Sequence, residues 1–317
     1  MTDTQNEVFK TPVNKIRLFE HGAPGSQNLK LTRKYYTEDM PDGRVKHIVQ
    51  NITDPDIVPY IPDGIGNSTD RQRIPAVLII PGGAFRRLVY NFEGEDVAKW
   101  LNSMGIAAFV LECRLPSDEH DNAEDVPLID AMRAMRVIRE RAQEFGIDEA
   151  KIGVMGFSAG GFMAALLSTA YESDVYADYK YKDEYDKLSA RPDFAVCSYP
   201  VISIDDCIEA GKRYMSEEQV LERISDSKAK ILHKYNPDKL VRPDMPPVFI
   251  CETDDDRTTL SENSVGFYMA ARKAGVSAEL HIFRTGGHGY GCGDDFAQTG
   301  EWKVLFTKWI KSIGIIS

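Results

Sequence analysis

No stretch of this 317-residue chain approaches the roughly 20 consecutive apolar residues that a membrane-spanning helix needs. Basic charge is also in short supply. The net charge is -11, so there is no positive field to offset phosphate repulsion, and nucleic acid is excluded as a partner. No Cys-X-X-Cys, His-X-His or His-Glu-X-X-His spacing occurs, which removes the usual sequence support for a bound metal. Repeats and low-complexity tracts are missing as well. The five cysteines are scattered and odd in number, so they make no disulfide framework. Cys113, Cys197 and Cys251 fall in or beside apolar runs and are expected to be reduced core residues. The polar start, residues 1–10, has no apolar signal-like core, and the expected location is the cytoplasm. What remains is an ordinary globular composition, 43% hydrophobic and 27% charged, on a chain long enough for a large core.

From residue 75 onward, short β-rich runs alternate with helical patterns. Strands are expected at 76–80, 107–112, 151–156, 194–199, 248–252 and 278–283. Several are almost wholly apolar, as strands of a parallel sheet covered on both faces must be. Helices are expected at 93–104, 125–145, 261–274 and 301–310. In the second, Leu128, Met132, Met135 and Ile138 recur at helical spacing, which marks core packing, while arginines fill the other face. This alternation predicts one α/β domain over 1–317, built on a doubly wound, mostly parallel sheet. Residues 1–74 show one clear strand, 45–52, and a Pro/Asp/Gly-rich connector; they are expected to supply edge strands and a lip. Two polar excursions, 171–192 and 203–243, are expected as small cap insertions, since insertions after strand ends commonly cover α/β active sites.

Residues 153–161 read Gly-Val-Met-Gly-Phe-Ser-Ala-Gly-Gly, between an apolar strand and an apolar helix. Glycines on either side permit a tight strand-to-helix turn that pushes the Ser158 hydroxyl outward. The helix N-terminus beside it favours developing negative charge. A serine nucleophile needs a base, a carboxylate behind that base, and donors for the oxyanion. His288 lies among four glycines after the last strand, where an imidazole can be presented but not packed. Asp254, Asp255 and Asp256 follow the preceding strand and offer the carboxylate, with the individual residue left open by position alone. Pro81-Gly82-Gly83 ends the first parallel strand, and its N–H groups at Gly82 and Gly83, with that of Ala159, are the expected oxyanion donors.

These residues resemble an α/β-hydrolase of the esterase/lipase type, and more narrowly the bacterial acetyl esterase and acetylxylan esterase group. The resemblance runs from about residue 75 to the end. It is strongest at Pro81–Phe85, Glu95–Arg114, Gly156–Gly161 and Gly286–Tyr290, and the chain order serine, aspartate, histidine agrees with it. Spacing to Asn263-Ser264 in that group implies Asp256 as the acid, with Asp255 the alternate. Two positions depart from the group's pattern: Thr259-Leu260 stands where Val-Pro is usual, and Ala84 replaces a third glycine. The resemblance implies a serine carboxylesterase for small-molecule short acyl esters, acetyl esters of sugars among them, with no cofactor and no metal. A lactonase, thioesterase or peptidase on the same triad, or a catalytically silent binding protein of the same fold, are the alternatives.

Overall fold

The computed structural model describes residue 9 and residues 12–65, 73–179, 182–225, 229–293 and 298–317. Expectations placed on residues 1–8, and on the stretch of the connector at 66–72, lie outside the described residues. The strands are β1 (Ile16–Arg17), β2 (Lys34–Asp39), β3 (Val45–Gln50), β4 (Asp56–Tyr60), β5 (Ile74–Ile80), β6 (Leu88–Val89), β7 (Ala107–Glu112), β8 (Ile147–Phe157), β9 (Ala195–Ser198), β10 (Val248–Thr253) and β11 (Ala278–Phe283). The helices are α1 (Asp96–Ser103), α2 (Val126–Glu140), α3 (Ala142–Phe145), α4 (Ala159–Ala170), α5 (Ile204–Tyr214), α6 (Glu217–Ser225), α7 (Ala229–Lys234), α8 (Ser261–Lys273) and α9 (Trp302–Ser312). None of the described helices is long and apolar enough to cross a membrane.

Eight strands form one sheet in the order β1-β4-β7-β5-β8-β9-β10-β11, parallel from β7 to β11 and antiparallel at β1 and β4. The six strands expected from the sequence are its parallel part. Their apolar runs are buried along β5, β7 and β10, because helices cover both faces. On one face Trp100 of α1 meets Trp302 and Phe306 of α9, with ring centroids 4.9 and 5.4 Å apart. Elsewhere α2 packs on α4, whose residues are buried almost all round, and Leu128, Met132, Met135 and Ile138 are core as expected. Cys113, Cys197 and Cys251 are buried thiols.

The chain passes from β5 to β7 on one side, then returns across β5 to β8 and continues in the opposite direction. The carboxyl ends of β5 and β8 therefore flank the crevice where the winding reverses, the usual ligand position in an open α/β sheet. Both Pro81-Gly82-Gly83 and Ser158 follow those two ends.

Several expected elements differ in detail. The helix at 125–145 breaks at Arg141 into α2 and α3, and the one at 93–104 begins as a π-helical turn, Asn91–Glu95, before α1. β4 was hidden in the Pro/Asp-rich connector; Pro59 is tolerated because β1 reaches only Asp56 and Ile57, leaving Pro59 on a stretch of edge. β2, β3 and β6 form a separate three-stranded sheet, which the chain joins at β6 just after the Gly82–Gly83 loop.

The two excursions part ways. Residues 171–179 and 182–192, within a stretch expected as a cap, instead run along the arginine face of α2, and 180–181 lie outside the described residues. Arg133 bonds Asp183 (2.6 Å), Arg136 bonds the Leu188 carbonyl (2.9 Å), and Arg139 bonds the Arg191 carbonyl (3.0 Å). They start from the end of α4 remote from Ser158 and serve as cover for the helix layer. Residues 203–243 carry α5, α6 and α7, which pack on one another. Arg213 of α5 pairs with Glu262 at the start of α8 (2.8 Å), and Lys234 of α7 with Asp125 ahead of α2 (2.7 Å). These ties set the excursion at the carboxyl end of the sheet, beside the crevice.

Candidate active site

β8 delivers Ser158 on a turn that no ordinary residue adopts cheaply, with φ +54° and ψ -117°. Its N–H donates to the Ser198 carbonyl at 3.0 Å, and its carbonyl starts α4 by accepting from Phe162 at 3.0 Å. The flanking glycines are there for close approach. A Cβ at Gly156 would sit 1.9 Å from the Gly160 carbonyl oxygen, and one at Gly160 would sit 1.9 Å from that of Ile80. Side chains at either place would drive the helix off the sheet.

The loop after β11 brings His288 to the same point. Its Nε2 lies 2.8 Å from Ser158 Oγ, and its Nδ1 lies 2.6 Å from Oδ2 of Asp256. Asp256 is almost fully buried, and Oδ1 accepts the N–H groups of Thr258 (2.7 Å) and Thr259 (3.0 Å). Burial would raise its pKa, but the hydrogen bond and charge of His288, with those two N–H groups, hold the carboxyl below its ordinary value. With a proton on Nδ1, the imidazole donates to Asp256 and leaves Nε2 to accept from the serine. Asp255, the alternate acid, faces the loop instead: its Oδ1 accepts the Gly287 N–H at 2.8 Å. Asp254 is exposed and contributes its backbone N–H to the Phe283 carbonyl. Thr259, one of the two departures from the group's pattern, donates its hydroxyl to Asp256 Oδ2 (2.9 Å) and lies 3.2 Å from His288 Nδ1.

On the other side of Ser158, Gly83 has φ +139°, and Ala84 and Phe85 are left-handed at +57° and +59°. The Gly83 carbonyl closes this turn by accepting from Arg86 (3.2 Å) and Arg87 (3.3 Å). Ala84 thus holds a conformation that the group's third glycine would adopt without steric cost. One sequence expectation needs correction here. The Gly82 N–H does not face the crevice; it donates to Glu93 Oε2 at 2.8 Å. Gly83 and Ala159 are left as donor candidates. A narrow apolar cleft adjoins Gly82 and Ala159, walled by Phe85, Leu88, Leu115, Pro116, Pro127 and Met163.

Three residues that sequence reasoning passed over belong to this neighbourhood. Glu93, from the π-helical turn, is buried; burial raises its pKa, while the charge of His288 and the bonds from Gly82 and Tyr199 oppose the rise. Tyr199, at φ +37°, donates its hydroxyl to Glu93 Oε1 (3.0 Å), accepts the Gly291 N–H (3.0 Å), and sets its ring edge-on to His288 at 5.1 Å. Glu252, on β10, is buried close to Asp256; burial and that carboxylate push its pKa up, and it accepts from Thr253 N–H and Ser264 Oγ. A glutamate ahead of a helix and a tyrosine ending a strand carry no sequence signal for these tasks.

The sheet order and the serine turn at its winding reversal define an α/β-hydrolase fold. A solved acetyl ester-xyloside bifunctional hydrolase from Caldicellulosiruptor lactoaceticus shares it, with a TM-score of 0.70 and 34% identity over 96% of this chain and 97% of that one. The chain belongs to the BD-FAE family, whose profile matches residues 65–270. An acetylxylan esterase from Xylanibacter ruminicola is 31% identical over 240 residues, 75% of this chain and 45% of that protein. An endo-1,4-beta-xylanase B from Butyrivibrio fibrisolvens is 31% identical over 227 residues, 71% of this chain and 34% of that protein. The chain spans less than half the length of these two curated relatives.

Proposed function

We propose that this chain is a serine carboxylesterase that removes short acyl groups, acetyl foremost, from small sugar-type esters. The observation that carries the reading is the unbroken path from Ser158 Oγ through His288 to Asp256, at 2.8 and 2.6 Å. Ser158 attacks the acyl carbon as His288 Nε2 takes its proton. Asp256 keeps the imidazole in the useful tautomer and stabilises the imidazolium that forms. The N–H groups of Gly83 and Ala159 receive the oxyanion, each contributing about 3 kcal/mol to the transition state. Collapse expels the alcohol, which takes the proton from His288. Water, deprotonated by the same nitrogen, then attacks the acyl-enzyme and releases the acid and Ser158.

The acetyl preference draws on the similar proteins: one is named an acetylxylan esterase and another an acetyl ester-xyloside bifunctional hydrolase. Chain-length dependence tests it. On 4-nitrophenyl esters, kcat/KM is expected to fall at least about tenfold, about 1.4 kcal/mol in barrier, between acetate and hexanoate. Acetate should also be released from acetylated xylo-oligosaccharides, and Ser158→Ala should abolish both activities. A rate that rises toward hexanoate, or that survives in Ser158→Ala, contradicts the reading.

A further inference from the structure

Glu93 has no part in the proton path, yet it is a buried carboxylate in the middle of the site. Burying such a group costs several kcal/mol unless it is well bonded, so its partners indicate what it is there for. They are the Gly82 N–H of the donor loop and the Tyr199 hydroxyl. We infer that Glu93 is a positioning residue for acyl transfer, fixing the Pro81–Gly82 peptide, and with it the neighbouring peptide whose Gly83 N–H meets the oxyanion, and tying that loop to the one bearing His288. The inference rests on the serine-esterase reading above.

Two anchors orient the loop. Glu93 holds the peptide between Pro81 and Gly82 by its N–H, and the Val89 N–H holds the next peptide by the Gly82 carbonyl at 2.9 Å. Carbonyl and N–H of one peptide unit point in opposite directions. Fixing the Gly82 carbonyl on Val89 therefore turns the Gly83 N–H away from Val89. There is no slack between this loop and the nucleophile: a Cβ on Gly82 would fall 2.9 Å from Ser158 Cβ and 2.5 Å from the Phe157 carbonyl oxygen. A small rotation at Gly82 is passed directly to the donor's position relative to Ser158, and misplacement on the order of 1 Å can cost about a hundredfold in rate.

The second arm of Glu93 reaches the histidine loop. Its Oε1 accepts from Tyr199, whose oxygen accepts the Gly291 N–H three residues past His288. The Tyr199 ring stands edge-on to the imidazole. One carboxylate thus joins the oxyanion loop and the histidine loop. A neutral amide at position 93 puts an NH2 where one carboxylate oxygen stood: the Gly82 N–H can only donate and needs the remaining oxygen, whereas the Tyr199 hydroxyl must give up its charged acceptor and turn to accept.

The test is steady-state hydrolysis of 4-nitrophenyl acetate by wild type, Glu93→Gln, Glu93→Ala and Ser158→Ala, with affinity for a trifluoromethyl ketone that forms a hemiketal oxyanion. Glu93→Ala is expected to lose about a hundredfold in kcat with KM within about threefold, and ketone affinity should fall by a similar factor, since oxyanion donors act in the transition state. Glu93→Gln, which keeps the volume and one acceptor, should lose about tenfold in both and carries the test if the alanine variant does not fold. Folded variants with wild-type kcat, a loss confined to KM, or unchanged ketone affinity would overturn the inference while leaving the esterase reading in place. Equal rates for wild type and Ser158→Ala would instead overturn the esterase reading, and this inference with it.

Discussion

Three consecutive aspartates follow β10, and only Asp256 reaches the imidazole. Asp256 spends Oδ2 on His288 and Thr259 and Oδ1 on two backbone N–H groups, while Asp255 spends an oxygen on the Gly287 N–H. Asp256→Asn presents an amide where an acceptor is needed and leaves the imidazolium unsupported; turnover on a short acyl ester should fall up to about ten-thousandfold. Asp255→Asn keeps an amide oxygen for Gly287, so more than about a tenth of the rate should survive. Kinetics of the two variants decide it, and a dead Asp255→Asn beside an active Asp256→Asn would exchange their roles. Thr259 shows how a departure from a familiar pattern can still fit: its hydroxyl adds a bond to the acid rather than shifting the register. Residue types alone pointed to Ser158 and His288, which the structure sets 2.8 Å apart, because glycines around each leave little use for them except presentation. They could not separate Gly82 from Gly83, since peptide orientation is set by Glu93 and Val89, far enough along the chain to be invisible to spacing.

Among the elements, α2 was legible as a helix, but what lies against its arginine face was not. Its apolar stripe is core, and its arginines are largely covered by the described residues of 171–192 through guanidinium bonds to carbonyls and to Asp183. Long charged side chains can bury their stems while bonding at the tip, so a polar stripe does not by itself mark solvent. The same helix carries Asp130, fully buried and paired with the equally buried Arg114 at the end of β7; Arg114 also donates to Ser26 Oγ at 2.8 Å, pinning the N-terminal arm. Removing one partner of a buried pair strands the other charge. Asp130→Ala should therefore cost about 3–5 kcal/mol of stability, read from urea unfolding. An unchanged midpoint would mean the pair is not what holds the arm to the sheet. β4 illustrates the opposite limit: with two prolines at or beside it, it formed a strand only because β7 offers a complete antiparallel partner.

At the scale of the whole molecule, alternation of apolar runs and helical patterns was enough for a doubly wound sheet, because a strand buried on both faces has almost no other composition. The strand order was not available from periodicity, and it is the order that puts the ends of β5 and β8 side by side. That adjacency sets Ser158 beside the Gly82–Gly83 loop, and the loops after β10 and β11 bring Asp256 and His288 to the same crevice. The central claim is that this crevice makes Ser158 a nucleophile. Its most direct test is reaction of the folded chain with a fluorophosphonate probe, followed by intact-mass measurement and peptide mapping. One adduct per chain, located on Ser158 and lost in Ser158→Ala, is expected. Labelling that persists in Ser158→Ala, or an adduct mapped to another residue, would contradict the account.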